Sequence, residues 1–311
     1  MDPIICITGP TASGKTELSL RLAEALGGEI VSCDSMQIYR RMDIGTAKPT
    51  AQELSRAVHH MIDIAEPTEN YSVGKYVAEA DRCVQDILAQ GKAVIVVGGT
   101  GLYCDSLILG RSFAPVPDTG KREELERRAD MEGMEKLLSE LQSVDAEAAS
   151  RLHPSDRKRI LRALEVFYET GKTITEHNLE TQKTPPRYHP VYLTLDYENR
   201  QDLYDRIDKR VALMRTQGLT EEVRRLLSEG VPKSATSMQA IGYKELAAFV
   251  DGELSEDEAY SLIAKRSRNY AKRQLTWFRR NENAVTLLRT NGQSDNALFS
   301  LARQNIPFFA G

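Results

Sequence analysis

The sequence predicts an α/β protein, a doubly wound parallel sheet carrying a helical insertion, on three observations. Short apolar runs alternate with helix-period segments through the first hundred residues. The pattern G-x-x-x-x-G-K-T directly follows the first of those runs. Between Lys121 and Lys172 the chain is charged and helix-forming, with few β-branched runs, before strand character returns at Val191.

Ile4–Thr8 is a short apolar run ending in a glycine-rich turn, as a buried parallel strand should. Helical spacing follows at Leu18, Leu22, Ala25 and Leu26, and Gly27-Gly28 supplies the stop. Glu29–Cys33 reads as a second strand with Asp34 at its carboxyl edge, and His59–Ile64 as a third. Val73, Tyr76, Val77, Ala80, Val84, Ile87 and Leu88 form one face of a helix that stops at Gly91. Ala93–Val97 is the clearest buried strand and runs into Gly98-Gly99-Thr100-Gly101. Ligands of such sheets sit at the carboxyl ends of the strands.

The character changes near Phe113–Pro117. Helices are expected over Arg122–Gly133, Met134–Val144 and Asp156–Glu169, and Thr184-Pro185-Pro186 breaks the chain before a strand at Val191–Leu195. This divides the chain into a first core part at 1–113, a helical insertion at 114–188 and a second core part at 189–311. Further helices are expected at Gln201–Gln217 and Thr220–Glu229. A long one should start at the capping box Ser255-Glu-Asp-Glu258 and run to about Arg280. Ala284–Leu288 could be a last strand, and the tail carries little signal.

Composition limits the function classes. With 41 Lys+Arg against 45 Asp+Glu, the formal net charge is -4, which excludes a globally basic nucleic-acid coat but not a local basic patch. No apolar run approaches the roughly 20 residues a membrane helix needs, and the start MDPIICITGP lacks a secretory pattern. Cys6, Cys33, Cys83 and Cys104 have no metal-ligand spacing, so reduced thiols in a cytoplasmic protein are expected, not zinc or disulfides.

Gly9-Pro10-Thr11-Ala12-Ser13-Gly14-Lys15-Thr16 meets both contextual conditions of a P-loop: a strand before it and a helix after it. Its backbone N–H groups can curl around phosphate oxygens, with help from the helix N-terminus. Lys15 adds a cation, and Thr16 offers a hydroxyl to a phosphate-bound Mg²⁺. An ordinary NTPase also places an acid after an apolar strand. Here Ala93–Val97 ends without one, and the acid is Asp34 after the second strand. A small-molecule kinase can use a carboxylate there, and Asp34 could alternatively be only a turn cap.

Eight segments together resemble the bacterial tRNA dimethylallyltransferases, also called tRNA isopentenyltransferases. They are GPTASGKT (9–16), VSCDSMQIY (31–39), MDIGTAKP (42–49), VVGGTGLY (96–103), HPSDRKRILRALEV (153–166), RIDKRV (206–211), QAIGYKE (239–245) and AKRQLTWFR (271–279). The resemblance runs from about residue 3 to 280, in the order the family uses. It implies transfer of a dimethylallyl group from dimethylallyl diphosphate to the exocyclic N6 amine of the adenosine 3′ of a tRNA anticodon, with release of diphosphate. The loop at 9–16 would then hold the donor's diphosphate, with Mg²⁺ on Thr16. A monomer is expected.

By the same resemblance, Asp34 matches the family's general base and Arg210 an arginine aimed at the leaving diphosphate. Ser35, Met36, Gln37 and Thr100 match residues meeting the tRNA or its target base, and Arg122 matches a further tRNA contact. From periodicity alone, Arg206 and Arg210 lie one turn apart, opposite a Leu203/Ile207/Met214 stripe, and Arg210 could simply pair with Asp205 or Asp208.

A flipped adenosine needs stacking and loop contacts. Lys158-Arg159-Ile160-Leu161-Arg162 sets cations beside an apolar stripe, and Gln239-Ala240-Ile241-Gly242-Tyr243-Lys244 offers polar and aromatic groups. Lys265 to Arg280 holds seven Lys/Arg and no acid, interleaved with Tyr270, Trp277 and Phe278. There Lys272, Arg273, Arg279 and Arg280 suit phosphates and Gln274 a base, although Trp277 and Phe278 are more often core. The competing readings are a P-loop small-molecule kinase, a non-catalytic RNA-binding protein and a prenyltransferase of free adenine nucleotides.

Overall fold

The computed structural model describes residues 2–111, 113 and 119–307. Chain contacts divide it into two compact units, Met1–Gly110 with Arg187–Gly311, and Arg111–Pro186. Apart from Phe113, the Phe113–Pro117 junction lies outside the described residues.

The larger unit begins with β1 (Ile4–Thr8), α1 (Lys15–Leu26), β2 (Glu29–Ser32), α2 (Ala51–Leu54), β3 (His59–His60), α3 (Val73–Ala89), β4 (Val94–Val97) and α4 (Gly101–Leu109). The insertion contributes α5 (Lys121–Glu132), α6 (Met134–Val144), α7 (Ala146–Ala149), α8 (Arg157–Thr170) and α9 (Ile174–Gln182). The larger unit then resumes with β5 (Val191–Tyr197), α10 (Arg200–Thr216), α11 (Leu219–Ser228), a 3₁₀ turn at Ser237–Gln239 and α12 (Tyr243–Val250). It closes with α13 (Glu256–Phe278), β6 (Val285–Arg289) and α14 (Asp295–Gln304).

The sheet is parallel throughout, in the order β3-β2-β4-β1-β5-β6. Because β1 lies between β4 and β5, the loop after β1 opens where the chain leaves the sheet in two directions, the usual place for a ligand. Alternation sorts the strands. Ile5, Ile7, Ile30, Ile95, Leu193, Leu195 and Leu287 pack on Leu18, Leu22 and Leu298 of α1 and α14. Burying each such side chain contributes roughly 1.5–3 kcal/mol. Tyr76 of α3 stacks on Tyr103 of α4 with centroids 4.2 Å apart, and its hydroxyl donates to the Ser32 carbonyl at 3.1 Å.

His59–Ile64 forms a strand over only its first two residues. Met61 at φ 64° and Asp63 at φ 55° are left-handed, so the extended backbone ends there. The tail forms a full helix. Ser294 caps α14 by accepting from Ala297 N–H, and Leu298 and Ala302 are buried. The four cysteines are free, and Cys6 and Cys104 sulfurs touch at 2.9 Å. A hydrogen bond from Cys104 and burial push the Cys33 thiol well up, so it is a core group and not a nucleophile. Among the described residues no helix is long and apolar enough to cross a membrane.

The insertion has its own core of Leu125, Leu137, Leu141, Ile160, Leu161 and Leu164. Buried Asp145 links two helix starts. Its Oδ1 accepts from Ala148 N–H at 3.0 Å and the Thr175 hydroxyl at 2.7 Å, and its Oδ2 from Thr175 N–H at 3.1 Å. Asp145→Ala leaves those donors without an acceptor and should lower stability by about 1–3 kcal/mol. Urea unfolding should show this as a lower midpoint at unchanged slope.

Candidate active site

The loop at 9–16 joins β1 to α1, and groups far along the chain hold it in shape. Gln274 on α13 is buried; its Oε1 accepts from Thr11 N–H at 2.9 Å while its Nε2 donates to the Gly99 carbonyl at 2.8 Å. Arg206 donates to the Ala12 carbonyl at 3.0 Å, and Arg289, at the end of β6, to the Ser13 carbonyl at 3.2 Å. Gly14 starts α1 at φ 94°, and the Arg289 guanidinium occupies the space a Cβ would need.

Lys15 folds back on its own loop, donating to the Gly9 and Pro10 carbonyls at 3.0 and 2.6 Å. Burial pushes its ammonium down to about 8, and the charge of Arg210 acts in the same direction against the pull of Asp34. Arg210 donates weakly to the Thr11 hydroxyl at 3.4 Å. Neither Asp205 nor Asp208 is its partner: Asp205 accepts from Gln201 at 2.7 Å and Asp208 pairs with Arg268. The Thr16 hydroxyl has no hydrogen-bond partner among the described residues, and none of their His, Cys, Asp and Glu side chains form a group of three able to hold a metal.

A cleft of about 320 Å³ adjoins the loop. Thr11 and Arg210 line it, as do Asp34, Ser35 and Met36 after β2, Gly45 and Thr46, Gln239–Ile241, and Tyr270 and Arg273 of α13. Ile207, Val211, Met214 and Ile263 supply apolar walls. Arg210 therefore shares a face with Ile207 and Met214 instead of opposing them. Positions three and four apart on a helix are neighbours, which corrects the expected arrangement. Asp34 Oδ1 accepts from Met36 N–H at 2.9 Å, so Asp34 shapes a turn and also faces the cleft. Thr100 accepts from Ser35 N–H at 3.0 Å and donates to the Ser35 hydroxyl at 3.2 Å. Burial, with nearby Asp34, pushes the Tyr270 phenol up to about 12, so it stays protonated at neutral pH.

Other singled-out residues fall elsewhere. Ile160 and Leu161 are core of the insertion, while Lys158 and Arg159 are exposed. Arg162 pairs with Glu165 at 2.9 Å, and Arg122 with Glu126 at 2.9 Å. Gln274, expected as a base contact, has both ends of its amide committed inside the protein. Gly242 and Tyr243 are buried and Lys244 is exposed. Gln37 donates to the Ala47 carbonyl at 3.1 Å. Lys272 lies over the Tyr204 ring, Arg279 pairs with Asp196 at 2.8 Å, and Trp277 donates to Asp105 at 2.7 Å. Sequence reasoning gave no role to Arg289 or Glu222, and noted Tyr270 only as one aromatic of the basic segment 265–280. A lone arginine ending an apolar strand was the one signal available for Arg289.

Fold and site define a P-loop α/β protein whose glycine-rich loop opens onto a carboxylate-bearing cleft. The family model described as IPP transferase matches residues 37–281. The chain belongs to the IPP transferase family. It is 43% identical to the tRNA dimethylallyltransferase of Acetivibrio thermocellus, over 96% of this chain and 95% of that protein. It is 49% identical to that of Geobacter sulfurreducens, over 89% of each. Among solved structures, the tRNA isopentenylpyrophosphate transferase of Bacillus halodurans superposes with a TM-score of 0.73 at 37% identity, covering 100% of this chain and 98% of that one.

The lowered Lys15 value predicts a pH dependence. Below about 8 the ammonium is charged; above it the free protein loses the charge, and an anion must bring a proton back. Diphosphate affinity, measured by calorimetry from pH 7 to 9.5, should weaken by up to about tenfold per pH unit above that value, relative to a K15M control.

Proposed function

We propose that the chain transfers a dimethylallyl group from dimethylallyl diphosphate to the N6 amine of the adenosine 3′ of the anticodon in tRNA, releasing diphosphate. One observation carries the reading: Thr11 of the phosphate loop and Arg210 meet Asp34, Ser35 and Tyr270 around a single cleft that also has apolar walls, with Thr100 hydrogen-bonded to Ser35. A eukaryotic dimethylallyltransferase described as acting on tRNA supports it, with a TM-score of 0.84 at 28% identity, covering 100% of this chain and 80% of that one.

The donor's diphosphate would sit on the loop amides, and Lys15 would exchange the Gly9 and Pro10 carbonyls for phosphate oxygens. As the allylic C–O bond breaks, its electron pair leaves with the diphosphate, and Lys15 and Arg210 face the growing charge. The amine nitrogen forms the new C–N bond and gives its proton to Asp34. The hydrogen bond from Met36 N–H orients that carboxylate. Thr16, whose hydroxyl has no hydrogen-bond partner among the described residues, would hold Mg²⁺, which would supply positive charge to neutralise the diphosphate. A monomer acting in the cytoplasm completes the proposal. In the insertion, Arg122, Lys158, Arg159 and Arg162 are the cations offered to the anticodon stem-loop.

A small-molecule kinase is not favoured. The relatives are dimethylallyltransferases, and β4 runs into Gly98-Gly99 with no acid. In Mg²⁺, dimethylallyl diphosphate and not ATP should protect the protein against heat; the reverse would restore the kinase. Asp34→Asn should slow single-turnover transfer of labelled dimethylallyl to tRNA by about 10²–10⁴-fold while donor affinity holds.

A further inference from the structure

Gly45 and Thr46 also line the cleft, in a segment with no regular secondary structure. It is organised by one buried carboxylate. Glu222 on α11 accepts from the N–H groups of Asp43 and Ile44 at 3.0 Å each through Oε2. Its Oε1 accepts from Gly45 N–H at 3.3 Å and from the Tyr243 hydroxyl at 2.5 Å. Gly45 lies against the Tyr243 ring, where any Cβ would collide. The ordered segment in turn holds Gln37, whose amide donates to the Thr46 and Ala47 carbonyls at 3.3 and 3.1 Å.

Three successive backbone N–H groups turned toward the interior must find an acceptor, and a charged one is the strongest available. We propose that Glu222 is a positioning residue for the acceptor: through residues 43–47 it sets where the tRNA adenosine is held, and it leaves the donor diphosphate unaffected. This rests on the prenyl-transfer reading. The phosphate loop takes its ties from Gln274, Arg206 and Arg289, so the loop and residues 43–47 are held by separate groups.

Steady-state transfer by wild type, Glu222→Gln and Tyr243→Phe tests the assignment, with KM measured separately for tRNA and dimethylallyl diphosphate. E222Q should raise the tRNA KM about tenfold while the donor KM stays within about twofold. Y243F should act in the same direction to a smaller extent, and it decides the question alone if E222Q does not fold. A role in stability only would lower Tm without separating the two KM values. An unchanged tRNA KM in the folded variants, or an equal rise in both constants, overturns the proposal. Wild type that transfers no prenyl group at saturating substrates refutes the functional reading itself, a result distinct from either of these.

Discussion

The phosphate loop is tied down by groups 194 to 276 residues further along the chain. A run of glycines and small residues has many conformations, and only one of them points its N–H groups inward together. Choosing that conformation at the moment of binding would subtract its ordering entropy from the affinity for diphosphate. Gln274, Arg206 and Arg289 make the choice during folding. Through Gln274, the same bond network joins the loop to the turn after β4, so Thr100 and the phosphate site are fixed in one frame.

Cations crowd this frame. Burial disfavours the charge on both Lys15 and Arg210, and neighbouring cations add to that penalty: Arg210 acts on Lys15 and Arg206 on Arg210. Asp34 offsets it only in part. On the proposed reading, an arriving diphosphate would relieve the repulsion, and the relief would grow as charge accumulates on the leaving oxygen. Such an arrangement would favour the transition state over the bound donor.

Much of this was legible in the sequence, and what was not follows from how information is distributed along a chain. The loop and Asp34 lie at strand ends, where local pattern alone announces them. Arg210 was visible as a residue, but its surroundings were misread because a neighbour three positions away was placed on the far face. Arg289 and Glu222 gave no functional signal; each matters for a partner brought near only by the completed sheet and the packing of α10 to α13. The unexpected α14 shows a related limit: a tail with weak periodicity forms a helix because α1 offers an apolar surface to cover.

The insertion enters between the residues to which the proposed reaction assigns its two halves. Asp34 and Thr100 precede it; Arg210, Gln274 and Arg289 follow it. Such a splice is tolerable only if the flanking chain ends stay together in the core, and they do. Tyr188 N–H donates to the Ile108 carbonyl at 3.1 Å, its hydroxyl reaches Asp81 at 2.7 Å, and Arg187 pairs with Asp81 at 2.7 Å. With that stem closed, β5 can add beside β1 in register, and the arginines of α10 reach a loop laid down at the start of the chain. Opening the stem would therefore harm the chemistry as well as whatever the insertion binds, because half of the site hangs from the strand that follows it.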